Sequence, residues 1–88
     1  MAITAAEVQS FLEQEVRGPE SMVNITDEFG HIGGFVVRPE FDGQTISTRQ
    51  KSLWDSLRNR FGEEAGEIGM IFTYSPYEYD EIFAEESA

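Results

Sequence analysis

Val8, Phe11, Leu12 and Val16 recur at helical spacing near the N-terminus, and a single apolar stripe of this kind predicts a helix that packs by one face. Thr4 and Glu7 supply a T-x-x-E capping box at its start, Ile3 is placed to staple onto Val8, and Gly18-Pro19 predicts its stop. The period then changes from helical to alternating. Met22-Val23-Asn24-Ile25-Thr26 alternates apolar and polar positions, Asp27 to His31 reads as a turn, and Gly34-Phe35-Val36-Val37-Arg38 is a second apolar run closed by Pro39. Two such runs joined by a few residues predict an antiparallel hairpin.

Phe41-Asp42-Gly43-Gln44 reads as another turn, and Ser47 or Thr48 as a helix cap. Leu53, Leu57 and Phe61 then recur every four residues, with Trp54 beside them and Gly62 as the stop, which predicts a second helix. Glu67 to Tyr74 holds Ile68, Met70, Ile71 and Phe72 and reads as a strand. Ser75-Pro76-Tyr77-Glu78 combines an N-cap Ser, a Pro at the first helical position and a capping Glu, so the strand leads directly into a last helix. That helix carries Tyr79, Ile82 and Phe83, with an acidic end expected to fray from about residue 84. The order is α-β-β-α-β-α, an α+β fold, without repeats, low-complexity tracts or an internal linker. At 88 residues, residues 1–88 are expected to form a single domain.

Composition narrows the chemistry. With 40% hydrophobic residues, seven Phe, three Tyr and one Trp, the chain is too apolar for a disordered segment. It has no Cys, so disulfides, thiol nucleophiles and a cluster ligated wholly by its own thiolates are excluded. The N-terminus lacks a basic start followed by an apolar stretch, and no run approaches a membrane span, so a cytoplasmic protein without a membrane partner is expected. The net charge of −11 opposes diffuse attraction to nucleic acid or anionic lipid. Its distribution is uneven: Arg49, Lys51, Arg58 and Arg60 against the single acid Asp55 make residues 49–60 locally +3, which leaves −14 elsewhere. If one helix exposes these four cations, they can contact phosphates or an acidic partner surface; alternatively they pair with neighbouring acids, and Arg58 lies opposite much of the patch on a 3.6 period.

The middle of the chain resembles the BolA-like family. That family's pattern of Phe-x-Gly, five residues, then Arg-His before a helix is matched by Phe41-Asp42-Gly43 and Arg49-Gln50, followed by Lys51-Ser52-Leu53-Trp54-Asp55-Ser56-Leu57. Its closing Thr-Tyr-Thr-Pro-x-Glu-Trp is similar to Thr73-Tyr74-Ser75-Pro76-Tyr77-Glu78-Tyr79, and its Asp-Glu before the hairpin loop resembles Asp27-Glu28. The pieces are short, but in shared order they cover nearly the whole chain. The resemblance implies a three-stranded mixed sheet with helices on it, related to the class II KH arrangement. It also implies a non-enzymatic partner of monothiol glutaredoxins in iron–sulfur or iron handling, with histidines as ligands; the alternative it carries is a DNA-binding regulator using the 49–61 helix.

The departures fall on the histidines. Gln50 stands where the family has His after Arg, Glu67 stands where a His opens the last strand, and His31-Ile32-Gly33-Gly34 lacks the second His of a His-Ala-Gly-His loop. His31 is therefore the one candidate metal ligand, in an iron–sulfur cluster shared with a partner that supplies thiolates; alone, the chain is expected to hold no cofactor. Its competing reading is an exposed turn residue. Glu28 and His31 form Glu-x-x-His, but Gly30 and the hairpin argue against the helical geometry that di-metal sites use. Gly30-His31-Ile32-Gly33 spells a GxxG, yet between strands instead of helices. No phosphate loop, dinucleotide fingerprint or catalytic triad is present, so neither an enzyme nor a small-molecule substrate is expected.

Overall fold

The computed structural model describes residues 3–16, 18–27 and 30–87, with side chains as far as Phe83. Helix α1 (Ala5–Glu15) starts where the capping box places it: the Glu7 amide donates to Thr4 Oγ1 at 3.1 Å. It ends before Gly18-Pro19, at Val16, whose N–H still reaches the Leu12 carbonyl while its backbone has already turned extended. Strands β1 (Met22–Thr26) and β2 (Ile32–Val37) form the antiparallel hairpin, paired from Met22↔Val37 to Thr26↔Gly33. β2 begins two residues earlier than the sequence predicts. Ile32 and Gly33, unassigned between the predicted turn and the second run, belong to the strand.

A 3-10 turn (Pro39–Phe41) leads to α2 (Ile46–Phe61). The α2 cap is Thr45, not Ser47 or Thr48: its Oγ1 accepts from the Thr48 amide at 3.2 Å, and its extended backbone lets the helix start at Ile46. Gly62 ends α2 as expected, but a second 3-10 turn (Gly62–Glu67) follows before β3 (Ile68–Tyr74). In α3 (Pro76–Ser87) the second capping box is formed in both directions. The Ser75 amide donates to Glu78 Oε1 at 2.8 Å, and the Glu78 amide donates to Ser75 Oγ at 3.3 Å. The helix is described as far as Ser87.

The sheet has the order β1-β2-β3, with β2 and β3 parallel. This is the three-stranded mixed sheet of the predicted α+β fold. A register shift separates Ile32↔Ile68 from Gly34↔Ile71, so β3 spends one extra residue there and turns both Ile68 and Ile71 to the same side. That side is the core: α1 contributes Val8 and Leu12, α2 contributes Leu53 and Leu57, and the sheet contributes Ile25, Ile32, Val36, Ile68 and Ile71. α3 covers the opposite face, where Phe35 meets Tyr79 at 5.5 Å and Phe83 at 5.8 Å between ring centroids. No helix among the described residues is long and apolar enough to cross a membrane.

Both outer strands are clamped by helix side chains. On β1, the Gln9 amide of α1 donates to the Val23 carbonyl at 2.9 Å and accepts from the Ile25 N–H at 2.7 Å, as a fourth strand would. On β3, the Tyr74 carbonyl turns towards β2's end and accepts from the Arg38 N–H, so the carbonyls of Ile71 and Thr73 point outwards. Those two are taken by Gln50 Nε2 at 2.9 Å and an Arg49 guanidinium nitrogen at 3.2 Å. Gln9 thus occupies one acceptor and one donor of the β1 edge, and Gln50 and Arg49 occupy two outward carbonyls of the β3 edge, which makes both edges less adhesive.

Candidate functional site

The parallel pairing of β2 and β3 decides what shares an end of the sheet with His31. Because Ile32 pairs with Ile68, the residues just before them, His31 and Glu67, enter the two strands at the same end of the sheet, and both are exposed. An imidazole and a carboxylate are thereby presented to solvent from one end of a rigid parallel pair. Glu28, the partner of His31 in the Glu-x-x-His spacing, lies outside the described residues. Among the described residues no group of three or more His, Cys, Asp or Glu is arranged to hold a metal ion. A cluster or metal at His31 would therefore take most of its ligands from elsewhere.

Gln50 is not available as a replacement ligand. Its Nε2 donates to the Ile71 carbonyl and its Oε1 accepts from Trp54 Nε1 at 3.0 Å, so both ends of the amide are committed. Trp54 is accordingly half-buried and anchored through Gln50, the edge of the core and not a stacking platform.

The four cations of residues 49–60 do not form one patch. Arg49 is buried, 4% exposed, with hydrogen bonds to the Gln44 and Thr73 carbonyls and to the Glu78 carboxylate. It is a structural residue and is withdrawn from any partner surface, because it occupies the same helical stripe as Leu53 and Leu57. Lys51 and Arg58 are exposed on one face, not opposite ones, and share Asp55 at 2.9 and 3.2 Å. The hydrogen bonds from both cations hold the Asp55 carboxyl below its ordinary range. Arg60 lies over the Phe61 ring at 5.2 Å and borders a shallow groove with Glu7, Ser10 and Phe11 of α1. What remains exposed is a small cationic pair tempered by an acid, plus one separate arginine.

The sequence reading missed a surface on β3. Met70 and Phe72 point to the α3 side of the sheet yet remain 66% and 51% exposed, next to the half-buried Tyr74. The signal was their period of two with Tyr74, which the continuous apolar run Ile68 to Phe72 conceals.

Comparison of the sequence with protein-family models finds no match, nor does comparison with curated proteins. Among solved structures, a bolA protein homologue from Coxiella burnetii is similar, with a TM-score of 0.64 and 25% sequence identity. The similarity covers 89% of this chain and 97% of that one. The chain has the BolA-like fold that the Phe41-x-Gly43 and Thr73-Tyr74-Ser75-Pro76 segments suggest.

Proposed function

We propose that this chain is a non-enzymatic BolA-like adaptor that docks on a monothiol glutaredoxin, or a similar thiolate-bearing protein, in iron–sulfur or iron handling. The observation that carries the reading is His31, an exposed imidazole at the head of the parallel β2–β3 pair, on the fold whose family resemblance implies that role. In a shared cluster His31 supplies one nitrogen ligand and the partner supplies the thiolates, which suits a chain with no Cys. Glu67, at the same end of the strand pair, offers a carboxylate that could orient the imidazole once a metal is bound, as the partners of many metal-bound histidines do. Lys51 and Arg58 offer cationic contacts to an acidic partner surface.

The burial of Arg49 and the sharing of Asp55 by Lys51 and Arg58 weigh against a DNA-binding reading. Among the described residues, few cations remain free for phosphate contacts, in a chain of net charge −11.

The test is an isotope-labelled NMR titration with a cluster-loaded monothiol glutaredoxin from the same source. Paramagnetic broadening is expected at His31, Ile32, Glu67 and Ile68. His31→Ala is expected to abolish the spectrum of the mixed cluster and leave the backbone shifts of the core unchanged. A cluster spectrum identical in His31→Ala would remove His31 as a ligand, and absence of any broadening in the wild type would overturn the adaptor reading.

A further inference from the structure

β3 alternates Met70, Phe72 and Tyr74 on the face that α3 covers only in part. Phe72 stacks on Tyr74 with ring centroids 6.2 Å apart, Tyr74 meets Phe83 at 6.5 Å, and Phe35 lies between Tyr74, Tyr79 and Phe83. α3 therefore seals the aromatic cluster at one end and leaves Met70 and the outer side of Phe72 in water. A flexible thioether beside an aromatic ring is a surface that adapts to an incoming apolar side chain.

Charge identifies what fits there. From Phe61 to the C-terminus the sequence carries eight acids and no Lys or Arg, and the three strands carry no charged residue. Lys51, Arg58 and Arg60 belong to α2, which packs on the opposite face of the sheet. The exposed apolar surface thus belongs to a C-terminal segment with no cation of its own, in a chain of net charge −11, which disfavours a second copy, an anionic membrane and nucleic acid alike. Cationic side chains are attracted twice, by the carboxylates and by the faces of Phe72 and Tyr74. The form of the occupant follows from the edge of β3. Its outward carbonyls at Ile71 and Thr73 are already occupied by Gln50 and Arg49, so an added strand finds its acceptors taken.

We propose that the α3-side face of β3, with Met70 and Phe72 at its centre and Tyr74 behind them, docks an amphipathic helix of a partner protein whose apolar stripe is flanked by Lys or Arg. The face adjoins His31, which precedes β2 beside Gly69, but the proposal does not depend on His31 binding a cluster.

The experiment is a backbone-amide and methyl NMR titration of the full chain with a synthetic Leu/Lys amphipathic helix peptide, and with its Leu/Glu counterpart. The Leu/Lys peptide is expected to shift Met70, Phe72, Tyr74 and Phe83, with an affinity that weakens as salt rises, while the Leu/Glu peptide shifts none of them. Phe72→Ser and Met70→Lys are each expected to weaken binding by about tenfold or more. Both side chains are largely exposed, so the folded spectrum persists. Glu13→Gln, on the far side of the molecule, is expected to leave binding unchanged. Shifts centred on the Arg60 groove, equal binding of the Leu/Glu peptide, or unchanged affinity in Phe72→Ser would each overturn the proposal. So would concentration-dependent broadening of Phe72 without peptide, which would assign the face to a second copy.

Discussion

Gly34→Ala is expected to cost more than about 3 kcal/mol and to leave little or no folded protein at ambient temperature. Gly34 pairs with Ile25 in the hairpin and has φ +156°, and a Cβ there would fall on the Asn24 carbonyl oxygen, with the Asn24 carbonyl carbon at 2.9 Å and Ile25 Cα at 3.0 Å. Every obstructing atom is backbone, so no side chain can swing aside. β1 cannot retreat cheaply, because Gln9 grips the backbone of Val23 and Ile25 and the Ile25 side chain is in the core. Folding stabilities near 0.05–0.15 kcal/mol per residue put the total for a chain of this size at about 4 to 13 kcal/mol, so the loss is a large part of it. Gly66→Ala, where the added Cβ meets nothing within 4 Å, is the matched control and is expected to stay within about 0.5 kcal/mol of wild type. Urea titrations followed by circular dichroism compare the two. A Gly34→Ala midpoint close to that of Gly66→Ala would mean that β1 relaxes away and that the close approach is not essential.

The same glycine shows why the sequence was readable in some places and not in others. Thr4 with Glu7 and Ser75 with Glu78 announce helix starts because a capping box is completed within four residues and needs no knowledge of the rest of the chain. Gly33 and Gly34 have the composition of a turn, yet they lie in a central strand because neighbouring backbones crowd them: Asn24 crowds Gly34, and the Met70 carbonyl lies 2.7 Å from where a Gly33 Cβ would be. That cause belongs to the register of three strands and is invisible along one. The phase of β3 is hidden for a similar reason. The extra residue between Ile68 and Ile71 sets both inwards, so the strand reads as a continuous apolar run instead of two alternating pieces, and the exposed Met70 and Phe72 are lost in it.

The candidate site was legible to the extent that local spacing sufficed. His31 could be singled out as the only histidine, but the place of Glu67 at the same end of the sheet follows from the parallel register and not from sequence distance. Arg49 carried a signal that its charge overrode. It stands four residues before Leu53 and eight before Leu57, on the buried stripe of α2, and a long apolar stem that ends in five donors suits such a position when acceptors converge on it. Grouping it with Lys51, Arg58 and Arg60 by charge alone joined side chains that the helix sends in different directions.

The second large effect is expected at Arg49 itself. Its guanidinium ties the Gln44 carbonyl, the Thr73 carbonyl and the Glu78 carboxylate together at 3.1, 3.2 and 2.6 Å, so a single side chain joins the α2 start, the edge of β3 and the cap of α3. Arg49→Met keeps most of the stem and removes the donors. The buried carbonyls then lose their partners, at about 1–3 kcal/mol each, while Glu78, with 40% of its side chain exposed, can rehydrate; a net loss of about 3 kcal/mol is expected. Glu78→Gln should cost less, about 1 kcal/mol, because an amide still accepts from the Ser75 N–H and the Arg49 donors keep both carbonyls. The pair also fixes the sign of the pH dependence. Hydrogen bonding from Arg49, then from the Ser75 amide, holds the Glu78 carboxyl below the ordinary carboxylate range. Its contribution is therefore complete above that range and is lost as pH falls through the lowered folded-state value. The stability gap between wild type and Arg49→Met should narrow on acidification, and amide exchange should show α3 opening first, since Tyr79 and Phe83 rest on Phe35 behind that cap. A gap that stays constant from neutral to acid pH would mean that Arg49 acts through its stem and its carbonyl contacts and that its charge on Glu78 adds nothing.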